Sequence, residues 1–178
     1  GGSDGRDTLY GGDGDDLIVE HSALILGVPD DKLYGGNGND RLYADSGDDL
    51  LDGGAGNDYL EGGLHKDTYI FGKGYGHDTI FDFMFDLDDE YTPFIHANTV
   101  KFTGGLTLDD LSISVTRGYG KEGIGYMPHL NDFVTTPRTD GDTWNISIKG
   151  TDDVLTIKNQ MWMGAVSNFE FDSGSYTF

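Results

Sequence analysis

The chain has 178 residues, enough for one or two small domains. It contains 29 Gly, 27 Asp and 5 Glu against 11 Lys and Arg, for a formal net charge of −21. That balance argues against nucleic acid and anionic membrane surfaces, which attract basic patches, and points toward cations. No run of 18 apolar residues spans a bilayer, and the absence of Cys removes disulfides and thiolate metal sites. The chain opens Gly1-Gly2-Ser3, without Met or a signal-peptide pattern, and reads as a piece of something longer.

Glycine and aspartate crowd the first half. Residues 1–82 hold 19 Gly and 16 Asp against five basic residues, and only 10 Gly follow Asp82. The shift divides the chain into an expected first unit, 1–82, and a second, 83–178. Within the first runs a period of nine. Gly11–Val19, Gly35–Tyr43 and Gly53–Glu61 are its cleanest copies, with weaker ones at 2–10, 26–34, 44–52, 62–70 and 73–81. The sixth place is always Asp: Asp7, Asp16, Asp31, Asp40, Asp49, Asp58, Asp67 and Asp78. The eighth is always large and apolar: Leu9, Ile18, Leu33, Leu42, Leu51, Leu60, Tyr69 and Ile80. A flexible Gly-rich linker would not keep both places in phase. Residues 20–25 break the phase and are expected to bulge out as a loop.

The pattern Gly-Gly-x-Gly-x-Asp makes a tight turn, with Gly where φ is positive or backbones approach closely. The remaining three residues form a short strand with one apolar side chain inward. Two units make one coil, and coils stack as parallel strands about 4.8 Å apart. Turns of alternate units then lie above one another, so Asp carboxylates and turn carbonyls line each edge. A column of like charge needs a cation between its layers. Hard oxygen ligands select Ca²⁺.

These repeats resemble the RTX, or haemolysin-type, calcium-binding nonapeptide GGxGxDxUx. The resemblance implies an all-β fold: a right-handed parallel β-roll over 1–82, largely disordered without Ca²⁺, followed by a small antiparallel β-rich cap. It also implies that each ion sits between a turn and the turn two repeats later. One ion would be held by Gly12, Gly14, Asp16, Gly35, Asn37 and Asp40. A second would use Gly36, Gly38, Asp40, Gly53, Ala55 and Asp58, and a third Gly54, Gly56, Asp58, Lys73, Tyr75 and Asp78. The other edge is degraded, with Ser3, Leu26, Pro29, Ala44, Asp45 and His65 in place of glycines. One to three ions are expected there, foremost one held by Asp45, Gly47, Asp49, Gly62, Leu64 and Asp67, with Asp31 and Asp7 as further ligands. About four to six ions would cancel much of the charge.

The second half alternates as strands do. Expected strands are Thr99–Phe102, Leu111–Val115, Trp144–Ile148, Val154–Ile157 and Asn168–Phe171, with a single helical turn over 107–111 capped by Thr107. Asp78-Thr79-Ile80, Leu108-Asp109-Asp110-Leu111, Asp152–Ile157, Trp162 and Phe169-Glu170-Phe171 resemble the related domain that follows RTX repeats in type I-secreted proteins. A cap also covers the exposed end of a solenoid core. Two segments depart from a compact cap. The acidic stretch 83–91, with Asp86, Asp88, Asp89 and Glu90, reads as a solvated turn or a further Ca²⁺ site. Residues 118–142, with Tyr119, Tyr126, Met127, His129 and Phe133, read as a long loop that packs its own aromatics or grips a ligand.

Catalytic motifs are absent in context. Gly1–Gly5 fits G-x-S-x-G without strand–elbow–helix surroundings. Gly118–Gly123 fits G-x-G-x-x-G without a following helix, and the five His show no H-E-x-x-H spacing. The leading expectation is a non-enzymatic, monomeric, calcium-folded C-terminal module of a larger secreted bacterial protein. Resemblance implies transit through a type I secretion channel and folding outside the cell or at the bacterial surface. Any catalytic domain would lie upstream of residue 1. The rival reading is a calcium-dependent module that binds a glycan or host surface through 118–142 or a roll face, where Tyr10, Tyr34 and Tyr43 occupy ninth places.

Overall fold

A computed structural model describes residues 5–20, 29–81, 98–116, 122–127, 132–137, 142–160 and 166–177. Each nonapeptide contributes one short strand built on its last third, and β1, β3 and β5 run on into the first three places of the next unit. Successive strands alternate between two sheets. The first sheet stacks β1 (Thr8–Asp13), β3 (Lys32–Asn37), β5 (Leu50–Ala55) and β7 (Thr68–Phe71). The second stacks β2 (Leu17–Val19), β4 (Arg41–Tyr43), β6 (Tyr59–Glu61) and β8 (His77–Phe81). Every pairing within these sets is parallel, and eighth-place residues face one another, Leu9 to Leu33 to Leu51 and Ile18 to Leu42 to Leu60. This is a parallel β-roll.

The roll's core is one column of eighth-place side chains per sheet. Leu33, Leu42, Leu51, Leu60, Tyr69 and Ile80 are fully buried. Ile18 and Leu9 are less covered, since β1 and β2 are the edge strands at that end of each sheet.

Neither sheet stops at the composition shift near residue 82. β9 (Asn98–Phe102) pairs parallel with β7, and β15 (Val166–Phe171) parallel with β9. β16 (Gly174–Thr177) closes this sheet antiparallel to β15. In the other sheet β14 (Val154–Gln160) pairs parallel with β8. β13 (Asp142–Ile148) and β10 (Leu111–Thr116) follow it antiparallel. Val100, Phe169 and Ile157 extend the core columns, and Phe102 stacks on Phe171 at 5.0 Å. The cap is therefore antiparallel only in its outer strands. The expected helical turn is a 3₁₀ turn, Leu108–Asp110, and the Thr107 N–H and hydroxyl both donate to Asp110 Oδ2.

Two expectations need correction. The 118–142 segment is not wholly a loop: β11 (Glu122–Met127) and β12 (Asp132–Pro137) pair as an antiparallel hairpin. The β-branched and aromatic run Phe133-Val134-Thr135-Thr136 favours that state. Glu20 does not begin the bulge. Its N–H donates to the Tyr43 carbonyl at 2.8 Å, continuing the β2–β4 ladder, and its side chain is buried. Residues 21–28 lie outside the described residues, as do the acidic stretch 83–91 and residues 118–121, 128–131 and 138–141. Among the described residues no helix is long and apolar enough to cross a membrane.

Candidate metal centre

The turns form two edges. One carries turns 11–16, 35–40, 53–58 and 73–78; the other carries turns ending at Asp7, Asp31, Asp49 and Asp67. The sixth-place carboxylates do two things. Above the first layer, Oδ1 accepts the N–H of the sixth-place Asp one layer below: Asp40 from Asp16 (2.7 Å), Asp58 from Asp40 (2.8 Å) and Asp78 from Asp58 (3.0 Å). The other edge repeats this, Asp31 from Asp7, Asp49 from Asp31 and Asp67 from Asp49. The Oδ2 atoms of Asp7, Asp16, Asp31, Asp40, Asp49, Asp58 and Asp78 are buried and accept no hydrogen bond. A buried unpaired carboxylate oxygen is costly, and its repetition in every layer is what a row of cation ligands requires.

First-place glycines show the space beside these oxygens. A Cβ on Gly11 would lie 2.6 Å from the Gly35 carbonyl oxygen and 2.7 Å from Asp16 Oδ2. A Cβ on Gly35 would meet Asp40 Oδ2 and the Gly53 carbonyl, and one on Gly53 would meet Asp58 Oδ2. Carboxylate and carbonyl thus converge on one small volume per layer. Among the described residues no group of three or more His, Asp or Glu side chains gathers at one point. The donor set is instead carboxylate plus backbone carbonyl, which suits Ca²⁺ rather than a softer metal.

The carbonyl columns are in register. Gly12 pairs with Gly36 and Gly36 with Gly54; Asp13 pairs with Asn37 and Asn37 with Ala55; Gly56 bridges to Gly76. The residues expected for the first three ions therefore lie on consecutive layers of one edge. Second- and fourth-place glycines hold positive φ, as at Gly36 (115°) and Gly38 (135°), where a Cβ would strike the carbonyl of the layer below. On the other edge Asp45 (φ 74°) and His65 (φ 83°) occupy such places without being Gly. The residues expected there also stack, since Ser46 bridges to Leu64 and Gly47 N–H donates to the Leu64 carbonyl. However, Ala44 holds the first place with a fully buried methyl, and Glu20 is its counterpart one layer down.

Burial pushes these carboxylates up. Asp49 rises to about 7, Asp58 to about 6 and Asp78 to about 8; a backbone N–H opposes the shift and neighbouring Asp charges add to it. Asp31 and Asp40 are raised for the same reasons. A divalent cation would reverse this, because opposite charge favours the ionised form.

Two features escape the nine-residue reading. The fifth place carries a second ladder: Asp15 Oδ1 accepts from Asn39 N–H, Asn39 Oδ1 from Asn57 N–H and Asn57 Oδ1 from His77 N–H. The run of Asp or Asn at Asp15, Asp30, Asn39, Asp48 and Asn57 was its visible signal. The carboxylate ladders also end differently. Asp67 N–H donates to Asn98 Oδ1, and Asn98 pairs with Val166, whereas Asp78 pairs with Leu155. Charge gives way to amide and aliphatic side chains as each edge enters the cap.

The sequence of these turns matches a known repeat family. The family described as RTX calcium-binding nonapeptide repeat (4 copies) matches residues 2–19, 30–51 and 43–80. The haemolysin-type calcium binding protein related domain matches residues 145–176. Among curated proteins no sequence matches. Among solved structures, one similar chain is the solution structure of the AlgE6R3 subunit from the Azotobacter vinelandii mannuronan C5-epimerase. It is 23% identical over 88% of this chain and 72% of that one, with a TM-score of 0.36. With nonapeptide repeats over most of residues 2–80 and the related domain behind them, the chain belongs to the RTX haemolysin-type calcium-binding proteins.

Proposed function

We propose that this chain is a calcium-folded, non-enzymatic module of a larger secreted protein. Residues 1–82 act as the calcium-binding roll and 83–178 as its cap. The observation that carries this reading is the column of buried Oδ2 atoms without hydrogen-bond partners, repeated at Asp16, Asp40, Asp58 and Asp78 and again at Asp7, Asp31 and Asp49. With calcium absent, each layer adds a desolvated carboxylate beside another and the thin core opposes that repulsion alone. With calcium present, the carboxylates and turn carbonyls are neutralised and the coils stack. Passage unfolded through a type I channel and folding at extracellular calcium levels follow from that dependence. Circular dichroism during a calcium titration tests it: β signal should be weak in excess chelator and rise over roughly 0.1–1 mM Ca²⁺. A full β signal in chelator overturns the reading.

A second reading, a surface that binds a glycan, draws on Tyr10. It is 73% exposed and stacks on Tyr34 with ring centroids 4.9 Å apart. A glycan array probed with the calcium-loaded chain, and with Tyr10→Ala beside it, separates the two.

A further inference from the structure

The last turn of the intact edge, 73–78, differs from the others in what lies above it. In earlier turns the fourth-place N–H donates to the third-place carbonyl of the next layer: Gly14 to Asn37 at 2.7 Å, Gly38 to Ala55 at 2.9 Å and Gly56 to Tyr75 at 2.8 Å. Gly76 holds the fourth place in the last turn, and the strand paired above β8 is β14 of the cap. Its N–H donates to Oδ1 of Asp153 at 2.9 Å, and the Gly74 N–H donates to Oδ2 of the same carboxylate at 2.9 Å.

Asp153 is built to make this grip. It lies in the turn between β13 and β14 and is only 6% exposed. Its own N–H donates to Thr151 Oγ1 at 3.1 Å, and that hydroxyl donates to the Ile148 carbonyl at 2.9 Å. The next N–H, of Val154, donates to the Gly76 carbonyl at 2.8 Å. The carboxylate is therefore held at one height over the turn.

A trans peptide is planar, with its C=O opposite its N–H. The Gly74 N–H shares a peptide with the Lys73 carbonyl, and the Gly76 N–H with the Tyr75 carbonyl. Drawing both N–H groups toward the cap turns both carbonyls toward the layer below. The Tyr75 carbonyl indeed accepts the Gly56 N–H. Lys73 and Tyr75 are the two residues whose carbonyls complete the third ion site with Asp58 and Asp78. In every other turn of this edge a further nonapeptide lies above; here one side chain of the cap takes its place.

We infer that Asp153 is a positioning residue for the last calcium site, aiming the Lys73 and Tyr75 carbonyls and so coupling the folded cap to ion binding in the roll. This rests on the calcium reading of the turns. Coupling is reciprocal, so calcium in this site stabilises the cap as the cap tightens the site.

The test uses the full chain with Asp153→Ala, Asp153→Asn and, as a control, Ile146→Val, which trims a fully buried cap residue away from the turn. Calcium uptake is followed by calorimetry and by the carbonyl ¹³C shifts of Lys73 and Tyr75. Asp153→Ala should weaken one site by roughly 5- to 50-fold, leave the sites of turns 11–16 and 35–40 intact, and reduce the calcium-induced shifts at Lys73 and Tyr75. Asp153→Asn, which keeps one acceptor, should fall between, and it carries the test if the Ala variant does not fold. Ile146→Val should match the parent chain. In the parent, calcium should raise the urea midpoint of the cap read by tryptophan fluorescence, and by less in Asp153→Ala. Unchanged isotherms and shifts in a folded Asp153 variant overturn the inference while the calcium reading stands, as does an equal loss in Ile146→Val. A parent chain that takes up no calcium overturns both.

Discussion

The two edges of the roll are built from the same nonapeptide, yet they diverge at its first, second and fourth places. On one edge Gly11, Gly35 and Gly53 leave open the volume where carboxylate and carbonyl converge. On the other, buried Glu20 and Ala44 stand at first places where the intact edge has Gly, and Asp45 and His65 hold positive φ at places that favour Gly. Both edges nevertheless keep the sixth-place ladder, with Asp N–H to Asp Oδ1 bonds of 2.7–3.0 Å. Sixth-place Asp and eighth-place apolar residues are therefore what the stacked turns of both edges have in common. The glycines decide how well a turn accommodates an ion and at what conformational cost.

The largest break in that comparison should come from the carboxylates. Asp40 belongs to the first two proposed ions of the intact edge, whereas Asp67 belongs to one on the other. Asp40→Ala should remove two ions from the calorimetric stoichiometry and weaken calcium-induced folding by about 10- to 100-fold. Asp67→Ala should remove at most one. Equal losses would erase the distinction between the edges.

Filling the cradle comes next. Gly35→Ala places a methyl against Asp40 Oδ2 and the Gly53 carbonyl. It should cost about 1–3 kcal/mol in saturating calcium, read from the urea midpoint. Ala44→Gly should act oppositely on the other edge, tightening calcium there while the calcium-free roll weakens.

Proton linkage sharpens the picture at intermediate size. Asp49, Asp58 and Asp78 titrate near 7, 6 and 8 in the calcium-free fold, above their ordinary 3.8. A raised folded-state value means that the fold binds protons more tightly than the unfolded chain. The calcium-free roll is therefore most stable below about pH 4 and loses that stability as pH rises through about 8. Calcium must displace those protons, so its apparent affinity should fall on acidification from pH 8 to 5.5. Calorimetry at pH 6 in two buffers of different ionisation enthalpy should register proton release; none would contradict the assignment.

The smallest effect is relief of backbone strain. His65→Gly should raise stability by about 0.5–1 kcal/mol in saturating calcium, because its left-handed φ disfavours a side chain. Asp45→Gly should gain less, since Asp tolerates that region better. Thermal or urea midpoints would detect either.

Much of this architecture was legible because a solenoid repeats its local rules. The in-phase Asp and apolar places foretold which side chains line the edges and which fill the core, from Ile18 to Ile80. Alternation also marked β9, β10, β13, β14 and β15 in the cap, and Thr107 marked the 3₁₀ turn. Glu20 was misjudged because its place in the ladder depends on a hydrogen bond to Tyr43, 23 residues later. The hairpin at 122–137 was missed because its first strand is interrupted by Gly123 and Gly125, which weaken a strand pattern. Asp153 stood in a stretch, Asp152–Ile157, that resembles the related domain, but nothing local marked its grip on the roll, since its partners Gly74 and Gly76 are 79 and 77 residues away.

The amino-acid sequence by itself determined the period, the inward and outward faces and the chemistry of the edges, because each depends on residues within nine of one another. Only the tertiary structure decided how the roll ends. The continuation of both sheets into the cap, the passage from Asp67 to Asn98 to Val166 and from Asp78 to Leu155, and the Asp153 grip all join residues distant in the chain. Strand register sets such contacts, and register emerges when the coils and the cap bury their shared core together.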